Sequence, residues 1–347
     1  MRIGLYVHHA QVGGAEDMAI DEIKYADHDK LRYVFFTEID SGWGPCLDEI
    51  QSLGVEVVRR EHRPDVFQTA YQDYGIELLH VYSCGDIQPG FRAALNAKIP
   101  VVDTQACVSY SAGYEENPTL VHPTYLCYKH HEHGGGGKPQ FKVIVGGVDL
   151  SRLAGPSKPD ANSLEIGWYG RFDCFKCPFT FVEIAKAVKS RVPASRFVMW
   201  GDGPDRGRSE FLAKQAGVDI RFPGFTRDKA TAFASMDVFC FPTWQEAFGR
   251  VMVEAMACGI PIVTADYPVC WELCHKAAVY MPNERQDPMS RANVEAYAQG
   301  IIDILNEAEL RESMQLEGIR RANANYDAKR MAREYGELYE QIAGGQK

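Results

Sequence analysis

Two α/β domains, each a parallel sheet wrapped by helices in the Rossmann manner, are predicted by three observations. The chain has 347 residues, 46% of them hydrophobic and 24% charged, enough to bury two cores. Short apolar runs alternate with helical patterns along both halves, the signature of parallel strands joined by crossover helices. The stretch from Phe239 to Thr264 holds one whole unit of this kind.

In that stretch Val238 to Phe241 is a short apolar run closed by Pro242, which suits a buried parallel strand ending in a loop. Gly249 to Ala257 follows as a helix, because Val251, Met252, Ala255 and Met256 recur at helical spacing while Gly259 and Pro261 stop it. Ile260 to Thr264 is the next buried strand.

The first half opens with a strand, Ile3 to Val7, too short for the core of a signal peptide. A glycine pair, Gly13 and Gly14, separates it from a helix over Ala15 to Tyr25. Strands follow at Arg32 to Thr37, Val55 to Val58, Ile76 to Tyr82, Pro100 to Asp103 and Phe141 to Val145, with helices near Pro45 to Leu53, Pro64 to Tyr74 and Gln88 to Ala97. Asp27-His28-Asp29 precedes a strand and reads as a solvated turn. Leu153 to Ser163, with two prolines and several small polar residues, is a connection between domains. Beyond it come strands at Leu164 to Tyr169, Arg196 to Trp200 and Ile220 to Phe222, a helix from Pro178, a segment Pro268 to Glu272, a helix over Arg291 to Leu305, and a final helix carrying Met331, Tyr335, Leu338, Tyr339 and Ile342.

Composition excludes several functions. A net charge of −10 argues against a nucleic-acid partner, which needs a basic surface. It argues equally for weak or no association with anionic lipid. No window approaches the length of a membrane span, and ten cysteines scattered through strands and helices suit reduced thiols in a cytoplasmic protein. Cys127, His130, His131 and His133 have metal-binding composition but run into four glycines and read as a loop; Cys174 and Cys177 form one Cys-x-x-Cys without a second pair. No metal site and no resident cofactor are expected.

Open α/β sheets bind ligands outside the carboxyl ends of their strands. The loop after Phe241 therefore points to a site in which backbone N–H groups at Phe248 to Met252 take a phosphate. Glu246 and Glu254, eight residues apart, reach different parts of one extended ligand and suit paired hydroxyls of a sugar. On spacing alone, a helix-terminal Glu246 and a solvated Glu254 fit as well. Arg171 and Lys176 lie on a strand-to-helix loop, where two cations suit a diphosphate or an ordinary surface. Gly13 and Gly14 allow close approach of backbone to a ligand, or simply a turn.

Glu246-Ala-Phe-Gly followed by Glu254-Ala-Met-Ala-x-Gly-x-Pro resembles the Glu-x7-Glu signature of retaining, two-domain (GT-B) glycosyltransferases of family 4, with Ala247 where the family has glycine. Gly170-Arg171 with Lys176, and Gly201-Asp-Gly-Pro204, match further motifs of that family. The likeness covers nearly all of the second domain and the first only loosely. It implies a GT-B fold: an acceptor domain over 1–150, a donor domain over 163–327 facing it across a cleft, and a C-terminal helix, 328–347, returning to the first domain. Val145-Gly-Gly-Val-Asp149 is similar to the family's Pro-Asn-Gly-Val-Asp at the end of the first domain.

The resemblance further implies transfer of a hexose-type sugar, with retention and without a metal, from a UDP- or GDP-linked donor to a hydroxyl of a polar acceptor. Catalytic roles fall to Glu246, Arg171 and Lys176. Donor binding falls to Gly13, Gly14, Arg171, Lys176, Gly201, Phe225, Thr226, Glu246, Ala247, Phe248, Gly249, Val251 and Glu254. The acceptor site is placed among first-domain loops, including Ser109 to His133. The family's Thr-x-His is replaced by Thr104-Gln105-Ala106, leaving Gln105, His80, Tyr110 and His9 as open substitutes. A nucleotide-sugar-binding regulator without turnover, and an epimerase or phosphorylase of the same architecture, are the alternatives. Oligomeric state is not legible.

Overall fold

The computed structural model describes residues 1–8, 13–39, 44–83, 87–106, 119–126, 140–153, 164–284 and 286–345. It divides into two compact units, Met1–Val148 with Tyr326–Lys347, and Asp149–Asn325. Among the described residues no helix is long and apolar enough to cross a membrane. Seven cysteines, Cys46, Cys174, Cys177, Cys240, Cys258, Cys270 and Cys274, are free thiols.

Unit 1 runs β1 Arg2–Val7, α1 Gly14–Tyr25, β2 Arg32–Glu38, α2 Pro45–Ser52, β3 Glu56–Arg60, α3 Pro64–Asp73, β4 Leu78–Ser83, α4 Pro89–Asn96, β5 Val101–Gln105, β6 Thr119–His122 and β7 Gln140–Val143. All pairings are parallel, in the order β3-β2-β1-β4-β5-β6-β7. Three helices begin with proline at their first turn, where a missing N–H costs nothing. Strand β6 is unanticipated: its four residues, all buried, lie inside the span read as a loop. Residues 109–118 and 127–133 of that span, with Tyr110, Cys127, His130, His131 and His133, and also His9, lie outside the described residues. Asp27 to Lys30 is the anticipated turn, closed by Lys30 N–H on the Asp27 carbonyl at 3.1 Å.

Unit 2 runs β8 Glu165–Tyr169, α5 Pro178–Arg191, β9 Arg196–Trp200, α6 Arg206–Ala216, β10 Ile220–Gly224, α7 Lys229–Ala234, β11 Val238–Phe241, α8 Arg250–Ala257, β12 Ile262–Ala265, α9 Pro268–Cys274, β13 Ala278–Met281, α10 Arg291–Asn306 and α11 Ala308–Asn325. Its sheet is parallel too, in the order β10-β9-β8-β11-β12-β13. Strand β12 starts at Ile262 because Ile260 N–H bonds back to the Ala255 carbonyl at 2.9 Å, with Gly259 left-handed at φ 68°, so Ile260 belongs to the cap of α8. Helices α6 and α11 carry weaker apolar periodicity, and they, α7 and strand β13 were not anticipated.

The last helix, α12 Ala328–Gly344, packs on α1 of unit 1. Its entry is pinned by a bridge between Val148 and Asp327. A Cβ on Gly147 would lie 2.7 Å from Ala328 Cα, so only glycine lets the two backbones pass.

Strand β4 alternates its faces. Leu79 and Val81 enter an apolar cluster with Phe36, Phe67, Tyr71 and Phe91, while His80 and Tyr82 turn toward α1 and α12. There Glu22, wholly buried, accepts hydrogen bonds from Tyr82 (2.8 Å), Tyr33 (3.1 Å) and Tyr339 (2.5 Å), with His80 Nδ1 2.9 Å away. His80 Nε2 meets Thr104 Oγ1 at 2.8 Å, and Thr104 meets Tyr335 at 2.7 Å. A buried carboxylate is tolerable only when its lone pairs are filled in this way. Burial alone would raise the Glu22 pKa, but the His80 imidazole beside it and the hydrogen bonds from His80, Tyr339 and Tyr82 outweigh burial and hold it below its ordinary value.

A carboxyl that binds protons less readily when folded adds stability above its unfolded pKa, and loses it as pH falls through the folded value. Unit 1 should therefore lose stability on acidification below about pH 4, and Glu22→Gln should flatten that acid slope. Tyr339→Phe should cost about 1–3 kcal/mol at neutral pH by leaving buried acceptors unpaired. Urea unfolding of the full-length chain across pH measures both.

Candidate active site

The strand order of unit 2 reverses between β8 and β11, and loops leaving two such strands form the ligand crevice of an open α/β sheet. The loop after β8 is Gly170-Arg171-Phe172-Asp173, followed by a 3₁₀ turn over Cys174–Lys176. Asp173 organises it. Its Oδ1 accepts from Phe175 N–H (3.0 Å) and Lys176 N–H (3.2 Å), and its Oδ2 accepts from Arg171 Nε at 2.5 Å. The Arg171 side chain is otherwise exposed, at 61%, so its terminal nitrogens face solvent beside the loop.

The loop after β11 is stitched to this turn. Lys176 Nζ donates to Glu246 Oε1 at 2.5 Å, and Glu246 is 8% exposed. The Thr243 hydroxyl lies 3.2 Å from the same oxygen and 3.1 Å from the Phe175 carbonyl. Trp244 Nε1 donates to the Cys174 carbonyl at 2.8 Å, and its ring stacks on Phe175 with centroids 5.3 Å apart. Cys177 closes the turn in the left-handed region at φ 50°. Its thiol, pushed up to about 12 chiefly by burial, is protonated at neutral pH.

Gly249 caps α8 at φ 78°, where a Cβ would meet Met252 Cε at 2.4 Å. This leaves glycine as the residue that fits. The predicted row of open amides from Phe248 to Met252 is shorter than expected: Met252 N–H is already committed to the Gly249 carbonyl at 2.9 Å. Ala247 and Phe248 are 5% and 4% exposed. One turn on, Glu254 is 2% exposed and accepts from Lys229 Nζ at 2.6 Å, with Arg250 Nε at 3.6 Å. It is therefore a paired carboxylate and not a solvated one.

Two further loops border this end of the sheet. Gly201, at φ 124°, donates its N–H to the Gly224 carbonyl at 2.9 Å, and a Cβ on it would lie 1.9 Å from the Gly170 oxygen. The Thr226 carbonyl accepts from Tyr169 at 2.7 Å, and its Oγ1 accepts from Asp228 N–H at 3.0 Å. Phe225 and Val251 are partly exposed.

Arg171, Lys176 and Glu246 thus form one bonded group through Asp173, while Glu254 sits in a separate ion triad with Lys229 and Arg250. Sequence reading missed Asp173, Thr243, Lys229 and Arg250. The spacing of Arg250 and Glu254 at i and i+4 was visible, but Lys229 reaches Glu254 from another helix, which no local spacing reveals.

In unit 1, Gly13 precedes α1 in extended conformation at φ −168°, and a Cβ there would meet Glu16 Oε2 at 2.5 Å. Gly14 opens α1. Of the substitutes for the absent histidine, Gln105 and His80 are excluded by burial. Both are 0% exposed, Gln105 bonds Asp103 (2.6 Å) and Ser83 (3.1 Å), and His80 belongs to the Glu22 network.

Residues 155–321 match the family described as "Glycosyl transferases group 1". EpsF of Bacillus subtilis (strain 168), named for a glycosyltransferase role, is 26% identical over 298 residues, 73% of this chain and 76% of that protein. A phosphatidyl-myo-inositol mannosyltransferase of Mycobacterium tuberculosis is 30% identical over 210 residues, 58% of this chain and 54% of its own length. Among solved structures, Anabaena HepE in complex with UDP-glucose superposes with a TM-score of 0.81 at 19% identity, over 98% of this chain and 100% of that one. Sucrose-phosphate synthase of Thermosynechococcus elongatus gives 0.80 at 16% identity, over 99% and 100%. These structures share the GT-B fold of two parallel-sheet Rossmann-like domains. Unit 2 is thus similar to the group 1 glycosyltransferase domain, and the protein is an enzyme of the glycosyltransferase class.

Proposed function

We propose that the protein transfers a hexose-type sugar from a UDP- or GDP-sugar to a hydroxyl of a polar acceptor, with retention at the anomeric carbon and without a metal in the transfer step. The observation that carries this reading is the Lys176–Glu246 pair at the β8/β11 switch point, with Arg171 anchored beside it through Asp173. A cation already held in place can engage a departing diphosphate without reorganising, which is where electrostatic catalysis gains most.

In this scheme the diphosphate lies against Arg171, Lys176 and the backbone after Glu246. Glu246, freed in part from Lys176, accepts from sugar hydroxyls. Glu254, held by Lys229 and Arg250, accepts from the ribose, and the loops at Gly201 and Phe225-Thr226 border the base. As the bond from the anomeric carbon to the phosphate oxygen lengthens, positive charge grows on the sugar and negative charge on the phosphate. The acceptor hydroxyl enters from the same face and passes its proton to the leaving oxygen. Gly13 and Gly14 are assigned to the phosphates by resemblance alone. UDP is the first base to test, since HepE is described with UDP-glucose.

Lys176→Ala and Glu246→Ala should each lower kcat by about 10²-fold or more, in protein that circular dichroism shows to be folded at the assay temperature. Near-normal rates in both would remove the site assignment. Proton NMR of the first product formed should show the donor's anomeric configuration. An inverted product would exclude the same-face mechanism, and nucleotide binding without release would favour a regulator.

A further inference from the structure

A second cluster of chemistry-bearing side chains lies in unit 1, among residues given no role above. His8 follows β1, Glu38 ends β2 and His62 follows β3, and these strands are neighbours in the order β3-β2-β1. The three side chains therefore meet at the carboxyl edge of the sheet, where open α/β folds bind ligands. His8 Nδ1 lies 2.8 Å from Glu38 Oε1, and His62 Nδ1 lies 2.5 Å from Glu38 Oε2. One atom from each residue falls within 4.8 Å of the others.

We propose that His8, Glu38 and His62 form a binding site for a divalent first-row transition cation of the zinc class, with one coordination position open to solvent. Two imidazoles and a carboxylate are the ligand set of zinc sites that keep an open fourth position. Zinc bonds of about 2.0–2.2 Å place tetrahedral ligand atoms about 3.3 Å apart. The histidine–carboxylate contacts, now 2.8 Å and 2.5 Å, would open by roughly 0.5 Å and 0.8 Å and the imidazoles would close around the ion.

Burial is graded as such a site needs. Glu38 is 2% exposed, His8 25% and His62 55%, so the anionic ligand is fixed at the floor and the neutral ones stand at the mouth. The floor has an outer partner: Tyr6 donates to Glu38 Oε1 at 2.8 Å, the kind of second contact that orients a metal-binding carboxylate. Neighbouring cations have other partners. Arg59 donates to the Ile39 carbonyl at 2.5 Å, Arg60 to the Arg59 carbonyl at 2.9 Å, and Arg63 to Asp65 at 2.5 Å. A bound cation would take the imidazole nitrogens and the carboxylate as ligands in place of their present contacts with one another. This site takes no part in the sugar-transfer scheme and does not rest on it.

The test is titration of the chelator-stripped full-length chain with Zn2+ and Co2+, followed by calorimetry and by cobalt absorption. One equivalent should bind, with Mg2+ far weaker. His62→Ala, at an exposed side chain that folding does not need, should weaken the tight site by at least about 100-fold, beyond the 10–100-fold attached to outer partners. Glu38→Gln should do the same. Replacing His130, His131 and His133 together by alanine should leave that site unchanged. Absence of a tight equivalent in the parent protein would overturn the proposal, as would a tight equivalent unaffected by His62→Ala or one lost in the triple variant.

Discussion

The pairing of Lys176 with Glu246 is the interaction on which the candidate site depends. It joins the loop after β8 to the loop after β11, the two strands between which the sheet order reverses. Two partly buried charges cost desolvation unless each is matched. The protein matches them with each other, with Thr243 on the carboxylate, and with the Asp173 cap that fixes the turn bearing the lysine. Such a pair is a poor contributor to stability for its own sake, and its position at the switch point explains its presence better than folding does.

A different buried charge organises unit 1. Glu22 of α1 lies under three tyrosines and a histidine drawn from β2, β4 and α12, so a carboxylate and a tyrosine 317 positions apart in sequence are bonded. The apolar face of β4 is ordinary core; its polar face closes only when the last helix delivers Tyr335 and Tyr339. This gives a physical reason for the chain to return to unit 1 after building unit 2. The same network takes up Thr104 and His80, which removes both from ligand contact.

Much of the fold was legible because parallel strands buried on both faces read as apolar runs, and prolines mark the starts of α2, α3, α4 and α5. What was not legible had a common cause. The surface helices α6 and α11 have little apolar periodicity. Strand β6 is four residues long and set in polar sequence. In the candidate site, Arg171, Lys176, Glu246 and Glu254 were singled out by family motifs, since spacing alone fitted an ordinary surface as well. Lys229 was not, because its partner is brought to it by tertiary packing. His8 and His62 were likewise invisible as a pair: 53 residues of intervening chain fold between β1 and β3 before the two imidazoles meet on Glu38.

The central claim is that one end of the unit 2 sheet grips a sugar-linked diphosphate through cations positioned before the ligand arrives. A crystal structure of the protein with a bound UDP-sugar or GDP-sugar tests this most directly. The account predicts diphosphate oxygens within hydrogen-bonding distance of Lys176 Nζ and of the Arg171 guanidinium, with Glu254 on the ribose. A donor bound with its diphosphate away from both cations, or a ribose that leaves Glu254 paired only with Lys229 and Arg250, would contradict it.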